Sequence, residues 1–198
     1  MKQVIVATKN KGKAKDFETI FNPLGYKVLT LHDVADDMDV EETGTSFEEN
    51  AILKAEALAQ RLQTFVIADD SGLSIDALNG APGIYSARYA GEAKSDEANM
   101  EKVLTELTDI RDDKRTARFC CAIALAGPNM KTKTAFGTCE GIIAHDKKGT
   151  NGFGYDPIFF VPQLGKMMAE LNPSEKAAIS HRGNAIKIIA EDLPNLLK

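Results

Sequence analysis

Two adjacent carboxylates, Asp69 and Asp70, stand in the stretch Ala68-Asp69-Asp70-Ser71-Gly72-Leu73, directly after the apolar segment Phe65-Val66-Ile67. The apolar, β-branched run reads as a buried strand, so the pattern puts the acids where that strand stops. An ionised carboxylate in an apolar setting is costly unless something compensates it. Two arrangements do so: a divalent cation, or water around a solvated Asp-Asp-Ser-Gly turn. Neighbouring side chains of an extended chain point to opposite faces. One acid is therefore expected to face a site while the other braces it.

Three further loops carry polar chemistry. Thr8-Lys9-Asn10-Lys11-Gly12-Lys13 follows the apolar Val4-Ile5-Val6-Ala7 and leads into a helix with Ala14, Phe17, Ile20 and Phe21 at helical spacing. Strand, glycine-containing loop and helix start together present backbone N–H groups and dipole to an anion, and lysines at 9, 11, 13 and 15 add positive charge. This is not a P-loop, since Ala7 stands where the first glycine belongs. A solvated lysine-rich turn explains the loop equally well. In residues 149–157, three glycines interleave with Phe153 and Tyr155, which suits either stacking on a base or aromatics packed inward. Asn172-Pro173-Ser174-Glu175 is a helix start, and the helix it opens carries Lys176, Ser180, His181 and Arg182.

The elements that must hold these loops alternate between strand and helix. After the strand 26–30 comes an acidic loop ending in Glu41-Glu42-Thr43-Gly44, then Thr45-Ser46-Phe47-Glu48-Glu49 opens a helix to about Leu62. Thr45 with Glu48, or Ser46 with Glu49, would cap that helix. Lys54 lies beside its apolar stripe, the usual place of a snorkelling lysine. A strand 73–76, an amphipathic helix 95–107 and two long strands, 117–125 and 134–143, follow, the last two joined by Gly127-Pro128-Asn129 as a hairpin. Such a hairpin makes the sheet mixed. Residues 158–161 add another buried strand, and Pro194 is expected to end the last helix.

Composition narrows the class. The 198 residues, 43% hydrophobic and 27% charged, suffice for one folded domain spanning 1–198, with room for two lobes. A net charge of −5 argues against a nucleic-acid or membrane-surface binder, though not against a small anion held by a local basic cluster. No signal peptide or membrane-length apolar run is visible. Three cysteines, two of them adjacent, have no zinc spacing and suit a reducing compartment, so the cytoplasm is expected.

A basic anion loop, paired acids, an aromatic glycine loop and a second basic cluster together form the inventory for a metal-bound nucleoside triphosphate. On these residues the chain closely resembles the inosine triphosphate pyrophosphatase family. The matching pieces are the 8–13 loop, Glu41-Glu42-Thr43-Gly44 with Phe47-Glu48-Glu49-Asn50-Ala51, the 68–73 stretch, residues 80–88, residues 152–157 and Ser180-His181-Arg182-Gly183. They run in order over nearly the whole chain. Lys9 departs from the neutral residue usual between Thr8 and Asn10.

The resemblance implies an α/β fold with an elongated, long mixed β-sheet flanked by helices, two lobes around a central cleft, and a homodimer. It implies Mg²⁺-dependent hydrolysis of deaminated purine nucleoside triphosphates (ITP, dITP, XTP) to monophosphate and pyrophosphate. Carried over, Thr8, Lys9, Asn10, Lys11, Gly12, Lys13 and Lys176 hold the triphosphate. Glu41 and Asp70 bind Mg²⁺, with Asp70 also the base for the attacking water. Ser71, Phe153, Gly154, Tyr155 and Asp156 contact substrate, His181 and Arg182 read the base, and Lys54 and Asp69 support. Hydrolysis of other modified or pyrimidine nucleotides, or nucleotide sensing without catalysis, stays open beside this reading.

Overall fold

The computed structural model describes residues 2–35, 37–191 and 193. Its centre is one seven-stranded mixed sheet in the order β2-β1-β3-β4-β5-β6-β7. The strands are β1 (Lys2–Val6), β2 (Tyr26–Leu29), β3 (Val66–Ile75), β4 (Thr116–Ala126), β5 (Lys133–Ile143), β6 (Phe159–Val161) and β7 (Lys166–Met167). β1 pairs in parallel with both β2 and β3, and every later pairing is antiparallel. The expected hairpin is β4–β5, in continuous register from Thr116↔Ile142 to Leu125↔Lys133.

Helices cover the sheet. They are α1 (Lys11–Phe21), the single turn α2 (Leu31–Val34), α3 (Phe47–Leu62), α4 (Asp96–Glu106), α5 (Pro173–Ile179) and α6 (His181–Ala190). Phe17 and Phe21 of α1 pack with Ile186 and Ile189 of α6 over Val4, Val6, Ile67 and Ile123. On the other side Ala51, Ala55, Leu58 and Ala59 of α3 meet Val66, Ala68, Ala122 and Ala124. Small residues on both surfaces let α3 lie close to the sheet. A third cluster, built on Leu73, Ile75, Val103, Phe119, Ile143 and Phe159, sits toward the other end of β3 and β4.

Two expectations need correction. β3 does not stop at the acids: all ten residues from Val66 to Ile75 pair with β4, and Asp69 and Asp70 sit in mid-strand opposite Ile123 and Ala122. Antiparallel pairing satisfies the backbone throughout, and charges from other elements compensate the side chains. The 173–190 helix is also two helices. Ser180 adopts an extended conformation (φ −69°, ψ 155°), ends α5 and caps α6 by accepting a hydrogen bond from Gly183 N at 3.1 Å. Gly183 must be a glycine there, because a Cβ would lie 2.1 Å from the Ala177 carbonyl oxygen. The break puts His181 and Arg182 in the first turn of α6. Pro194 lies outside the described residues.

Candidate active site

The acids of β3 point to opposite faces, as strand alternation requires. On the α1–α6 face, the fully buried Asp69 Oδ2 meets Lys13 Nζ at 3.1 Å and Arg182 Nη2 at 3.0 Å. Burial favours its neutral form, but Lys13, Arg182 and Lys54 together outweigh that and hold the carboxyl below its ordinary range. Asp69 is the brace. On the α3 side, Asp70 Oδ2 accepts a hydrogen bond from Asn50 Nδ2 at 3.1 Å, and Oδ1 lies 3.6 Å from Lys54 Nζ. Here burial wins over Lys54 and Lys13, with Glu42 adding to it, and the carboxyl is pushed above its ordinary value. A carboxylate of raised basicity at a pocket wall is suited to accept a proton.

The pocket gathers Asn10, Lys13, Asp70, Ser71, Phe153, Gly154, Tyr155, Asp156, Lys176, His181 and Arg182, eleven of the residues marked out in the sequence, from five separate stretches of chain. Thr8 is buried behind them, its Oγ1 accepting from Asn10 N at 3.1 Å, while the Asn10 side chain caps α1 by accepting from Lys13 N. Gly12 is pressed against the Phe153 ring, which a Cβ would approach to 2.3 Å. Lys9 and Lys11 are exposed on the outer side of the loop. Lys54 does not snorkel to solvent; its ammonium points to Glu42 and Asp70.

Several side chains hold the site rather than face a ligand freely. Tyr155 is buried with its hydroxyl donating to the Ser86 carbonyl at 2.7 Å, whereas Phe153 is half-buried with Lys176 Nζ 4.7 Å and Arg182 Cζ 5.8 Å from its ring centroid. Asp156 is buried and receives hydrogen bonds from Lys176 Nζ at 2.7 Å and Phe153 N at 3.0 Å. Arg182 is clasped between Asp69 and Asp16, with Nη1 donating to Asp16 at 2.7 Å and Nη2 also donating to Ser71 Oγ at 2.8 Å. Those bonds engage all three guanidinium nitrogens, which makes Arg182 an anchor more than a free donor. His181 is buried and stacks on Phe119, ring centroids 4.8 Å apart. Burial, then the nearby Arg182 and Lys176, push its imidazole well below the ordinary histidine range, so it is neutral at pH 7. Its Nδ1 has no hydrogen-bond partner among the described residues.

The two glutamates of the acidic loop are placed differently. Glu41 is exposed, whereas Glu42 is half-buried and lines the pocket. Lys54 Nζ at 2.6 Å and Arg88 Nη1 at 3.7 Å draw Glu42 inward. Asn50 ties the same loop to the reacting side, accepting from Gly44 N at 2.8 Å while donating to Asp70. Asp16, Glu42, Asn50 and Phe119 were not singled out from sequence. Asp16 could have been found, one turn after Lys13 on the same helix; Phe119 carried no signal beyond strand hydrophobicity.

Comparison with known proteins finds relatives over nearly the whole chain. A dITP/XTP pyrophosphatase of Bacillus cereus is 56% identical over 196 residues, 98% of this chain and 96% of that protein. A dITP/XTP pyrophosphatase of Staphylococcus epidermidis is 55% identical over 98% of this chain and 97% of its own length. Among solved structures, the Staphylococcus aureus Ham1 protein superposes with a TM-score of 0.86 at 54% identity, covering 98% of this chain and 99% of that one. A HAM1 protein from Coxiella burnetii gives 0.86 at 41% identity, covering 98% and 100%. With residues 4–192 matched by the Ham1 family model, the chain belongs to the Ham1 family.

Proposed function

We propose that the protein hydrolyses XTP, dITP and ITP to the monophosphate and pyrophosphate. The observation that carries this reading is the pocket itself: a carboxylate of raised basicity, Asp70, faces the same space as Lys13, Lys176 and the neutral His181. Relatives at 55–56% identity bear the dITP/XTP pyrophosphatase name.

A triphosphate carries about four negative charges, which an acidic protein must meet locally. Lys13 at the start of α1 and Lys176 both line the pocket. Asp70 takes a proton from water as the water oxygen bonds to the α-phosphorus. The bond from that phosphorus to the α–β bridging oxygen breaks, and pyrophosphate leaves with the electron pair. Asp70 and the Glu41–Glu42 pair offer hard oxygen donors of the kind Mg²⁺ uses, one or two carboxylates completed by phosphate oxygens and water. Bound there, Mg²⁺ would neutralise phosphate charge.

Selectivity follows from neutral donors. Hypoxanthine and xanthine present a 6-oxo acceptor where adenine presents an amino donor. An N–H of neutral His181, and backbone N–H groups beside it, would pair with the first and oppose the second, a mismatch that reaches roughly 10⁴–10⁵ where the groups are buried. The half-buried Phe153 ring, which lines the pocket, would supply a flat surface for the base. Phe153→Ala should raise KM for dITP about 5- to 100-fold, the worth of one base–aromatic stack, with a smaller change in kcat. Steady-state kinetics by pyrophosphate release would measure both.

The test of the function is a triphosphate panel with Mg²⁺. dITP, ITP and XTP should give monophosphate and pyrophosphate, with ATP turned over far more slowly. Orthophosphate as product, or equal turnover of ATP, would overturn it; a preference for pyrimidine triphosphates would select the alternative substrate class, and tight dITP binding without turnover the sensor. The same reading includes a homodimer acting in the cytoplasm. Tyr85 and Phe136 support the dimer, being exposed at 56% and 52% beside one open cleft of about 850 Å³. Light scattering should give twice the 21.5 kDa chain mass. Among the described residues no helix is long and apolar enough to cross a membrane.

A further inference from the structure

Lys54 stands where a cation belongs. It projects from α3 with its side chain 13% exposed, and its ammonium lies 2.6 Å from Glu42 Oε1 and 3.6 Å from Asp70 Oδ1. Burial works against its charge, but Asp70, Asp69 and Glu42 together more than offset that. Arg88 reaches Glu42 at 3.7 Å from the far side, yet for Asp70 the only ion-pair partner among the described residues is Lys54. A divalent cation on the same carboxylates would have to share their field with this ammonium, and like charges at that range repel strongly where solvent is scarce.

We propose that Lys54 is an internal counter-cation that neutralises the Glu42–Asp70 pair while no nucleotide is bound, and so weakens metal binding to the empty enzyme. The proposal rests on the metal-dependent reading above. Its consequence is ordered loading. Without substrate the pair is already half-compensated, and a bare divalent ion gains little by entering. A triphosphate brings its own cation together with oxygens that give the Lys54 ammonium new partners. The lysine thus suppresses metal occupancy without substrate while keeping both carboxylates ionised and inward.

The experiment reads metal binding directly. Mn²⁺ affinity of the full chain without nucleotide is measured by electron paramagnetic resonance for wild type, Lys54→Met, Lys54→Gln and the double variant Lys54→Met/Asp70→Asn. Both single variants should bind Mn²⁺ at least tenfold tighter than wild type, and the gain should vanish in the double variant. Two different neutral replacements guard against misfolding of either. Unchanged or weaker Mn²⁺ binding in Lys54→Met and Lys54→Gln would overturn the proposal and leave Lys54 a structural ion-pair partner. A separate arm adds a non-hydrolysable dITP analogue to wild type. If Mn²⁺ then binds with the analogue but the single variants show no gain, the counter-cation idea alone fails; if Mn²⁺ does not bind even with the analogue, the metal-dependent reading fails with it.

Discussion

Asp70→Asn should lower kcat for dITP by roughly 10²–10⁴-fold, the usual worth of a positioned general base. The amide has nearly the shape of the carboxylate, keeps an oxygen to accept from Asn50 Nδ2, and cannot take a proton from water. Stability should hardly suffer. Burial already pushes this carboxyl toward its neutral form, so removing the charge relieves a desolvation cost while giving up the 3.6 Å contact with Lys54. The melting temperature is expected within about 2–4 °C of wild type, the equivalent of 1 kcal/mol in a chain of this size. Pyrophosphate release and calorimetry on one preparation would check both halves. Near-normal turnover would remove Asp70 from the chemistry.

Asp69→Asn should do the reverse. Its carboxylate is the shared partner of Lys13 and the fully buried Arg182, and losing one member of such a pair leaves a buried charge uncompensated, typically at about 3–5 kcal/mol. Arg182 keeps Asp16 at 2.7 Å, so the loss belongs at the low end, a fall in melting temperature of roughly 6–12 °C. KM should rise as Lys13 and Arg182 lose their anchor, with kcat falling less than in Asp70→Asn. The pH dependence has a definite sign. Because the folded carboxyl is depressed, its contribution is complete above the unfolded value near 3.9 and is lost as pH falls from there through the folded one. Wild type should therefore lose stability faster than Asp69→Asn on acidification below about pH 4. Parallel acid denaturation curves would contradict this.

That Asp69 and Asp70 face opposite sides of the sheet was legible from the sequence, because it needed only the two-residue period of a strand. Local patterns also sufficed for α1, α3 and the β4–β5 hairpin: helical spacing of Phe17 and Phe21, Ser46 at the start of α3, and glycine with proline in the turn. What was not legible depended on partners far along the chain. β3 continues through its acids because Lys13 and Arg182 compensate Asp69, and Arg182 lies 113 positions away. Glu42 rather than Glu41 turns inward because Lys54 and Arg88 draw it there, a choice invisible in two consecutive glutamates. The break at Ser180 was masked by apolar periodicity running past it, and Tyr155 could be sorted from Phe153 only by finding the Ser86 carbonyl that its hydroxyl reaches.

The contact between Gly12 and Phe153 sets a spacing. The loop that leads to Lys13 touches the ring with no side chain between them, where even one methyl group would come within 2.3 Å. Its outer surface, at the exposed Lys9 and Lys11, can change charge without disturbing that fit. Its thickness cannot change. The missing methyl at position 12 therefore acts as a gauge, fixing how closely the loop before Lys13 seats against the aromatic ring.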